Sequence, residues 1–325
     1  MREISMSAAL REVLQQILQD DDRAFLMGED IAAYGGAFKI TRGFVDQFGA
    51  ARVRNTPMSE AGFVAVACGA ALAGSRPVVE IMFMDFLPLA FDAIINVAAK
   101  WRHVYGDDFR MPLVIRCPAG GGRSYGPTHS QSFEGMLLNV PKLTICCPSN
   151  PADAGGLLLG AHAADGPVVF IEPKALYARK GPVPQAWTPQ APGRARVVRG
   201  GTDVTLISYG RQLWTALAAA DRLQADGVSA QVLDLRTLRP LDTEAITAAV
   251  AATGRGMSIE ESPVCGGVGA EVAAVVMAGA FSYLEAPFVR LGAHDGPIPC
   301  SPALEQACFP DVDGVVSQAR RLCAY

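Results

Sequence analysis

One histidine lies among small hydroxyl and amide side chains in a glycine-rich run. The run covers Gly120–Ser132, and His129 precedes the sequence Ser-Gln-Ser. The apolar segment before it, Pro112–Arg116, predicts a buried strand, and α/β proteins build active-site loops where strands end. An imidazole in such a loop could transfer protons near neutral pH. The alternative is a structural loop whose histidine caps a helix or binds a backbone carbonyl.

A carboxylate forms the second candidate. Glu60 lies after Pro57 and directly before a predicted apolar helix over Phe63–Ala73. From its position alone, the more common role is to stabilise the helix start through the free N–H groups and the dipole. The functional alternative is a partly buried carboxyl that exchanges a proton with a ring nitrogen.

Aromatic and glycine clusters offer weaker indications. Phe83, Phe86 and Phe91 could form ordinary core packing or a flat face that stacks a heteroaromatic ring. The cluster Gly266–Gly269 precedes a predicted helix and could approach a phosphate, but it is more typical of tight helix–strand packing. The sequence contains neither a P-loop motif nor a His-Glu-x-x-His metal motif.

Strands and helices alternate along the chain, which predicts an α/β fold with two domains, each a mostly parallel sheet flanked by helices. A proline-rich stretch without periodicity covers Lys180–Gly193. We therefore expect a first domain over residues 1–180, a linker over 181–200 and a second domain over 201–325. The predicted elements include the helix Ser5–Leu18, the strand Ala24–Gly28, the helix Asp92–Arg102 and the strand Asp203–Gly210.

Composition limits the function classes. The 325 residues are 50% hydrophobic and 18% charged, with a net charge of −4, which argues against nucleic-acid binding. The mean hydropathy of +0.22 favours buried subunit interfaces. The apolar stretches are too short to span a bilayer, and the N-terminus has no signal pattern. Eight cysteines without Cys-x-x-Cys spacing indicate a reducing cytoplasm, with neither a zinc site nor a disulfide framework.

An ordered set of motifs resembles one family over essentially the whole chain. The chain is similar to the β subunit of the E1 component of thiamine-diphosphate-dependent 2-oxo acid dehydrogenases, which include the pyruvate, branched-chain and acetoin members. The motifs are Gly28–Asp30, Pro57–Glu60, Arg76–Glu80, Phe91–Lys100, His129–Ser132, Pro148–Ala154, Glu172–Tyr177, Asp234–Asp242, Gly266–Glu271 and Pro299–Glu305.

The resemblance implies a thiamine-diphosphate pyrimidine-binding domain followed by a transketolase C-terminal-type domain. Glu60 corresponds to the glutamate that hydrogen-bonds the aminopyrimidine ring of the cofactor, and Phe86 to the aromatic residue that stacks on it. Glu29 and Met82 are implied as further cofactor contacts, although many relatives carry glutamine at the position of Met82. His129 corresponds to the active-site histidine, which assists proton transfer and acyl transfer to a lipoyl group.

The same resemblance implies half an active site. The family binds the diphosphate and Mg²⁺ through a Gly-Asp-Gly motif on an α chain, and this sequence has no such motif. We therefore expect no metal site here, an α₂β₂ heterotetramer that is active only with the α subunit, and a lipoyl-bearing E2 partner. A 2-oxo acid or acetoin is the expected substrate. The turn Ala164–Gly166 departs from the potassium-binding version in some relatives, so no potassium ion is predicted.

Two other functions stay open. A split transketolase C-terminal subunit would transfer ketol units between sugar phosphates, but no basic side chains for a phosphate stand out near His129. A non-catalytic assembly subunit would only dock the acyltransferase, and the presence of Glu60, Phe86 and His129 argues against it.

Overall fold

Two compact units make up the chain in a computed structural model that describes residues 1–106 and 108–325. The N-terminal unit comprises Met1–Ala119 and Asn139–Pro192, and the C-terminal unit comprises Gly120–Leu138 and Gly193–Tyr325. The glycine-rich run that carries His129 thus belongs to the C-terminal unit, although residues of the N-terminal unit flank it in the sequence.

Fourteen strands are found in the described residues. They are β1 (Arg2–Ser5), β2 (Ala24–Glu29), β3 (Val53–Thr56), β4 (Arg76–Glu80), β5 (Val114–Ala119), β6 (Thr144–Cys146), β7 (Val168–Pro173), β8 (Lys180–Val183), β9 (Arg196–Arg199), β10 (Val204–Ser208), β11 (Ala230–Asp234), β12 (Thr237–Arg239), β13 (Gly256–Pro263) and β14 (Val289–Ala293).

The same residues form eleven α-helices and several shorter helical turns. The α-helices are α1 (Met6–Asp20), α2 (Phe44–Phe48), α3 (Glu60–Leu72), α4 (Trp101–Tyr105), α5 (Glu134–Leu138), α6 (Pro151–Ala163), α7 (Gln212–Ala225), α8 (Thr243–Thr253), α9 (Val268–Gly279), α10 (Pro302–Ala307) and α11 (Val312–Cys323). The turns are the 3₁₀ segments Met84–Ala90, Lys174–Leu176 and Phe281–Tyr283 and the π-helix Ala93–Ala98.

Six parallel strands form the sheet of the N-terminal unit, in the order β6-β7-β5-β4-β2-β3. Its central strands β2, β5 and β7 are buried along their whole length, as expected for a parallel sheet covered on both faces. The short strands β1 and β8 form a separate antiparallel pair, so the segment predicted as a linker begins with paired backbone.

The C-terminal unit has a five-stranded sheet in the order β14-β13-β10-β11-β9. Only β9 runs antiparallel, at one edge, beside β11. Helices α7 and α11 pack against this sheet through an aliphatic core that includes Leu213, Leu223 and Val315. The predicted α/β fold of two units with mostly parallel sheets is confirmed.

Helix starts follow their caps. The side chain of Ser5 accepts a hydrogen bond from the Ala8 amide at 3.2 Å, which fixes the start of α1 as the sequence predicts. The predicted helix over Asp92–Arg102 differs from the structure, which divides this region into the π-helix and α4. The cap N–H of Ala99 bonds to the carbonyl of Ile94, the five-residue spacing of a π-turn.

Candidate active site

Two buried carboxyl groups lie at element ends in the N-terminal unit. Glu29 is the last residue of β2, and Glu60 is the first residue of α3. Both residues are only 7% exposed. Residues at the carboxyl ends of parallel strands and at the starts of helices converge at one edge of an α/β sheet, where such proteins bind ligands.

Glu29 lies within range of the negative charge of Glu60. Burial, together with the negative charges of Glu60 and Asp30, raises the pKa of Glu29 to about 7. The Oε1 atom of Glu29 is buried and has no hydrogen-bond partner within the described protein. A buried carboxyl oxygen without a hydrogen-bond partner indicates a binding site whose ligand would donate the missing hydrogen bond.

An aromatic cluster follows the end of β4. The rings of Phe83 and Phe86 meet edge to face, with centroids 6.2 Å apart, and Phe38 contacts Phe83 in the same way at 5.8 Å. Phe83 is buried, whereas Phe86 and Met82 are half-buried. This arrangement leaves part of one ring and one thioether available to an apolar ligand face.

A buried ionic network lies at the same strand ends. Arg116 on β5 donates to Glu80 on β4 at 2.6 Å and to Glu172 on β7 at 2.7 and 3.0 Å. The Tyr177 hydroxyl also donates to Glu172 at 2.6 Å. Although burial opposes its charge, the carboxylates of Glu172 and Glu80 raise the pKa of Arg116. The network fixes three neighbouring strands at the edge where Glu29 ends its own strand.

Close packing connects this network to the aromatic cluster. The ring of Phe38 contacts Tyr177 with centroids 4.9 Å apart, and it also contacts Phe83. Gly28 precedes Glu29, and a Cβ atom there would lie 2.6 Å from the carbonyl oxygen of Glu80. Glycine is therefore required at that position for β2 and β4 to approach each other.

Two carboxylates of the C-terminal unit hold the glycine-rich run. The Gly121 amide donates to Glu261 at 3.1 Å. The amides of Gly122 and Ser124 donate to the two oxygens of Glu305, each at 2.9 Å. These bonds satisfy backbone groups of a loop that forms no strand or helix of its own, and so they fix its path.

His129 is half-buried within this run. The Thr128 hydroxyl lies 2.9 Å from its Nδ1 atom, within hydrogen-bond distance. Ser130 and Ser132, which follow His129 in the sequence, are buried. A cavity of about 430 Å³ in the C-terminal unit is lined in part by Ser130, Ser132 and Phe133.

The run also contains a spacing that sequence reasoning missed. Gly122, Ser124 and Gly126 match the Gly-x-Ser-x-Gly pattern of a nucleophile elbow, and Ser124 has a positive φ of 57°. The pattern normally leads directly into a helix, whereas α5 begins only at Glu134. The Ser124 hydroxyl lies 3.3 Å from a Glu305 oxygen, so a carboxylate that anchors the loop contacts this serine.

The predicted site residues thus fall into two sets. Glu29, Glu60, Met82 and Phe86 belong to the N-terminal unit, and His129 belongs to the C-terminal unit. Within residues 1–106 and 108–325, no group of three or more His, Cys, Asp or Glu side chains could hold a metal ion. In the same residues, no helix is long and apolar enough to cross a membrane.

Two family descriptions match the chain in order. "Transketolase, pyrimidine binding domain" matches residues 2–180, and "Transketolase, C-terminal domain" matches residues 193–315. A solved structure of a split-gene transketolase, described as an inactive β4 tetramer, is similar with a TM-score of 0.78 at 24% identity. That similarity covers 99% of this chain and 98% of the other, and it shows the fold alone.

Three relatives with higher identity are named as β subunits. The pyruvate dehydrogenase E1 component subunit beta of Rickettsia felis is 39% identical, covering 99% of both chains. The acetoin:2,6-dichlorophenolindophenol oxidoreductase subunit beta of Bacillus subtilis is 40% identical, covering 97% of this chain and 96% of that protein. A mitochondrial pyruvate dehydrogenase E1 subunit beta-2 of Oryza sativa is 40% identical, covering 99% and 87%.

Proposed function

Because this chain belongs to the family of β subunits of thiamine-diphosphate-dependent E1 components, we propose that it contributes the pyrimidine side of an active site that an α subunit completes. The observation that carries this proposal is the pair of buried carboxyls, Glu29 and Glu60. Burial and the charge of Glu60 raise the pKa of Glu29 to about 7, and the Glu29 Oε1 atom has no hydrogen-bond partner among the described residues.

These residues fit an aminopyrimidine ring. Such a ring offers a ring nitrogen and an exocyclic amine to carboxyl groups at its edge, and two apolar faces. Glu60 is the group that we assign to the ring nitrogen, where a carboxyl can exchange a proton with the ring. Phe86 and Met82 supply apolar contacts to the ring face. Glu29, protonated in part at neutral pH, provides a second hydrogen-bonding carboxyl.

Thiamine diphosphate, when bound, supplies the electron sink that allows the bond between a carbonyl carbon and its neighbouring carbon to break. The protein must bind it, orient it and exclude water. The sequence has no Gly-Asp-Gly motif, so we assign the diphosphate and Mg²⁺ contacts to the α subunit. The β chain described here then acts only as part of a heterotetramer, for which we propose α₂β₂.

The net reaction balances with a disulfide acceptor. A 2-oxo acid loses CO₂, its acyl carbon forms a bond to one sulfur of a lipoyl disulfide, and the S–S bond breaks. The disulfide takes up two electrons, and one proton goes to the second sulfur as a thiol. We assign proton transfer in the acyl-transfer step to His129, because an imidazole can act as both a general acid and a general base. The lipoyl group belongs to an E2 partner.

We infer the substrate class from the names of the relatives. Two of the full-length relatives described above are named for pyruvate and for acetoin, at 39% and 40% identity, so we propose a small 2-oxo acid or acetoin as the substrate. Acetoin cleavage would use the same carboxyl pair, because a carbon–carbon bond beside a carbonyl breaks in both cases. We also propose a reducing cytoplasm as the location, a compartment in which free cysteines persist.

The test uses the chain co-expressed with the α subunit encoded by its own genome. Turnover is measured with pyruvate, a branched-chain 2-oxo acid and acetoin, using a dye as electron acceptor. Glu60→Gln should lower turnover by at least about 100-fold while the complex still assembles. Glu244→Gln, an exposed carboxyl in the first turn of α8, is the matched control and should remain fully active. Unchanged turnover of Glu60→Gln would contradict the proposed role.

A further inference from the structure

The main chain around His129 is fixed independently of its ring. On the N-terminal side, amides of Gly121, Gly122 and Ser124 are held by carboxylates of the C-terminal unit. The His129 amide itself donates to the Gly126 carbonyl at 3.3 Å. On the C-terminal side, the Gln131 carbonyl accepts a hydrogen bond from the Gly120 amide at 3.1 Å. The Cα atom of His129 therefore has a defined position, from which its side chain extends.

Gly126 sets the turn that presents the histidine. It has a φ of +78°, in the left-handed region that favours glycine. A Cβ atom there would also lie 2.4 Å from the sulfur of Cys300, so a larger residue would not fit. This turn is followed by the exposed Thr128 and the half-buried His129.

A neighbouring hydroxyl contacts the imidazole on one nitrogen. The Thr128 Oγ1 atom lies 2.9 Å from His129 Nδ1. Threonine suits this contact because its β-branch leaves few χ1 rotamers, so the hydroxyl is held in place before it meets the ring. A histidine that transfers a proton at one nitrogen needs a partner at the other, which sets the tautomer and the ring orientation.

We propose that Thr128 is a positioning residue for His129 in the acyl-transfer step. The Thr128 hydroxyl accepts the Nδ1–H, which keeps its proton throughout. Nε2 is then the atom that gives a proton to the departing sulfur and later takes up another from the solvent. Both the neutral ring and the charged ring keep the hydrogen bond to Thr128, so the ring does not have to rotate between steps. This inference rests on the role proposed above for His129.

The test compares Thr128→Val, Thr128→Ser and His129→Asn in the assembled α–β enzyme. Acyl transfer from the 2-oxo acid to free lipoamide is followed by thiol release. Valine keeps the shape of threonine and removes the hydroxyl, whereas serine keeps the hydroxyl. We expect Thr128→Val to lower kcat about 10-fold with KM unchanged within about 2-fold, and Thr128→Ser to restore kcat to within about 2-fold of the parent. His129→Asn should lower kcat about 100-fold or more.

The outcomes separate this inference from the proposed function. If His129→Asn is inactive and Thr128→Val has the parental kcat, the positioning role is wrong and the function stands. If His129→Asn retains full activity, the role of His129 is wrong, and the role of Thr128 with it. Thr128→Val in the His129→Asn background should not lower kcat any further, because the Thr128 hydroxyl acts through the imidazole ring. A further loss there would indicate a separate structural effect and overturn the proposal.

Discussion

The guanidinium of Arg116 binds the carboxylate of Glu172 through two hydrogen bonds, of 2.7 and 3.0 Å, inside the N-terminal unit. Both side chains are almost completely buried, as is Glu80, which binds the same guanidinium. Such a triad stabilises the fold less than an apolar core would, but loss of its one cation leaves two buried carboxylates without compensation. The stability of the fold is therefore expected to be sensitive to substitution of Arg116.

Arg116→Met should lower the free energy of unfolding by about 3–5 kcal/mol, because Glu80 and Glu172 would remain buried without their cation. Urea denaturation of the purified enzyme measures this change. Arg110→Met is the matched control, since Arg110 forms an exposed ion pair with Asp165, and it should change the free energy by less than about 1 kcal/mol. Equal effects of the two substitutions would show that burial does not control the energetics of this triad.

Phe86→Leu should weaken thiamine diphosphate binding about 10-fold, because it removes a flat aromatic face while keeping a side chain of similar polarity. Isothermal titration of the α–β complex, prepared without cofactor, gives the Kd. Phe48→Leu is the control, since Phe48 packs edge to face on Phe44 at the end of α2. If both variants bind the cofactor with the parental Kd, Phe86 is a packing residue and the stacking role is wrong.

Much of the architecture was predictable from local patterns. The start of α1 follows from Ser5, whose side chain caps the helix, and β2 follows from a short apolar run that ends at an acidic turn. Glu60 directly precedes an apolar helix in sequence, and it starts α3 in the structure. These features depend on neighbours within a few residues, so periodicity and capping rules reach them.

Other features of the site depend on contacts between distant residues. Arg116 meets partners 36 and 56 positions away, and nothing in its own segment indicates them. Glu305 accepts a hydrogen bond from the Gly122 amide, although the two residues lie 183 positions apart in the sequence. The anchor of the glycine-rich run could therefore not be predicted from the run itself. The raised pKa of Glu29 likewise results from burial beside Glu60, which only the folded chain establishes.

The raised pKa of Glu29 predicts the direction in which the stability of the fold changes with pH. Burial and nearby negative charge raise the pKa of Glu29 to about 7, above the ordinary value of a glutamate. The folded state therefore binds more protons than the unfolded state between roughly pH 4.5 and 7, and stability falls as pH rises through that window. Glu29→Gln cannot ionise, so its melting temperature should fall less than that of the parent between pH 5 and pH 8.

The comparison of melting temperatures at several pH values checks this prediction. Glu60→Gln offers a second check, because removal of the like charge should lower the pKa of Glu29 and move the steepest part of the stability curve to lower pH. Parallel curves for the parent and Glu29→Gln would mean that Glu29 ionises normally in the folded protein, and that the two carboxyls are not coupled.

The anchor of the glycine-rich run gives the last prediction. Glu305 accepts hydrogen bonds from the amides of Gly122 and Ser124, and bonds to a charged acceptor are the stronger kind. Glu305→Ala should therefore free these amides and raise hydrogen exchange of the peptide over Gly120–Ser132 about 10-fold. Trypsin should also cut faster after the exposed Arg123.

Glu244→Ala, on an exposed helix turn, should leave both rates at the parental value. A loosened run would no longer hold the main chain on both sides of His129, so kcat for acyl transfer should fall in Glu305→Ala even though the imidazole and Thr128 are intact. Fast exchange with parental kcat would show that the histidine keeps its position without the Glu305 anchor. Unchanged exchange would instead mean that other contacts of the C-terminal unit, such as that of Glu261 with Gly121, suffice to hold the run.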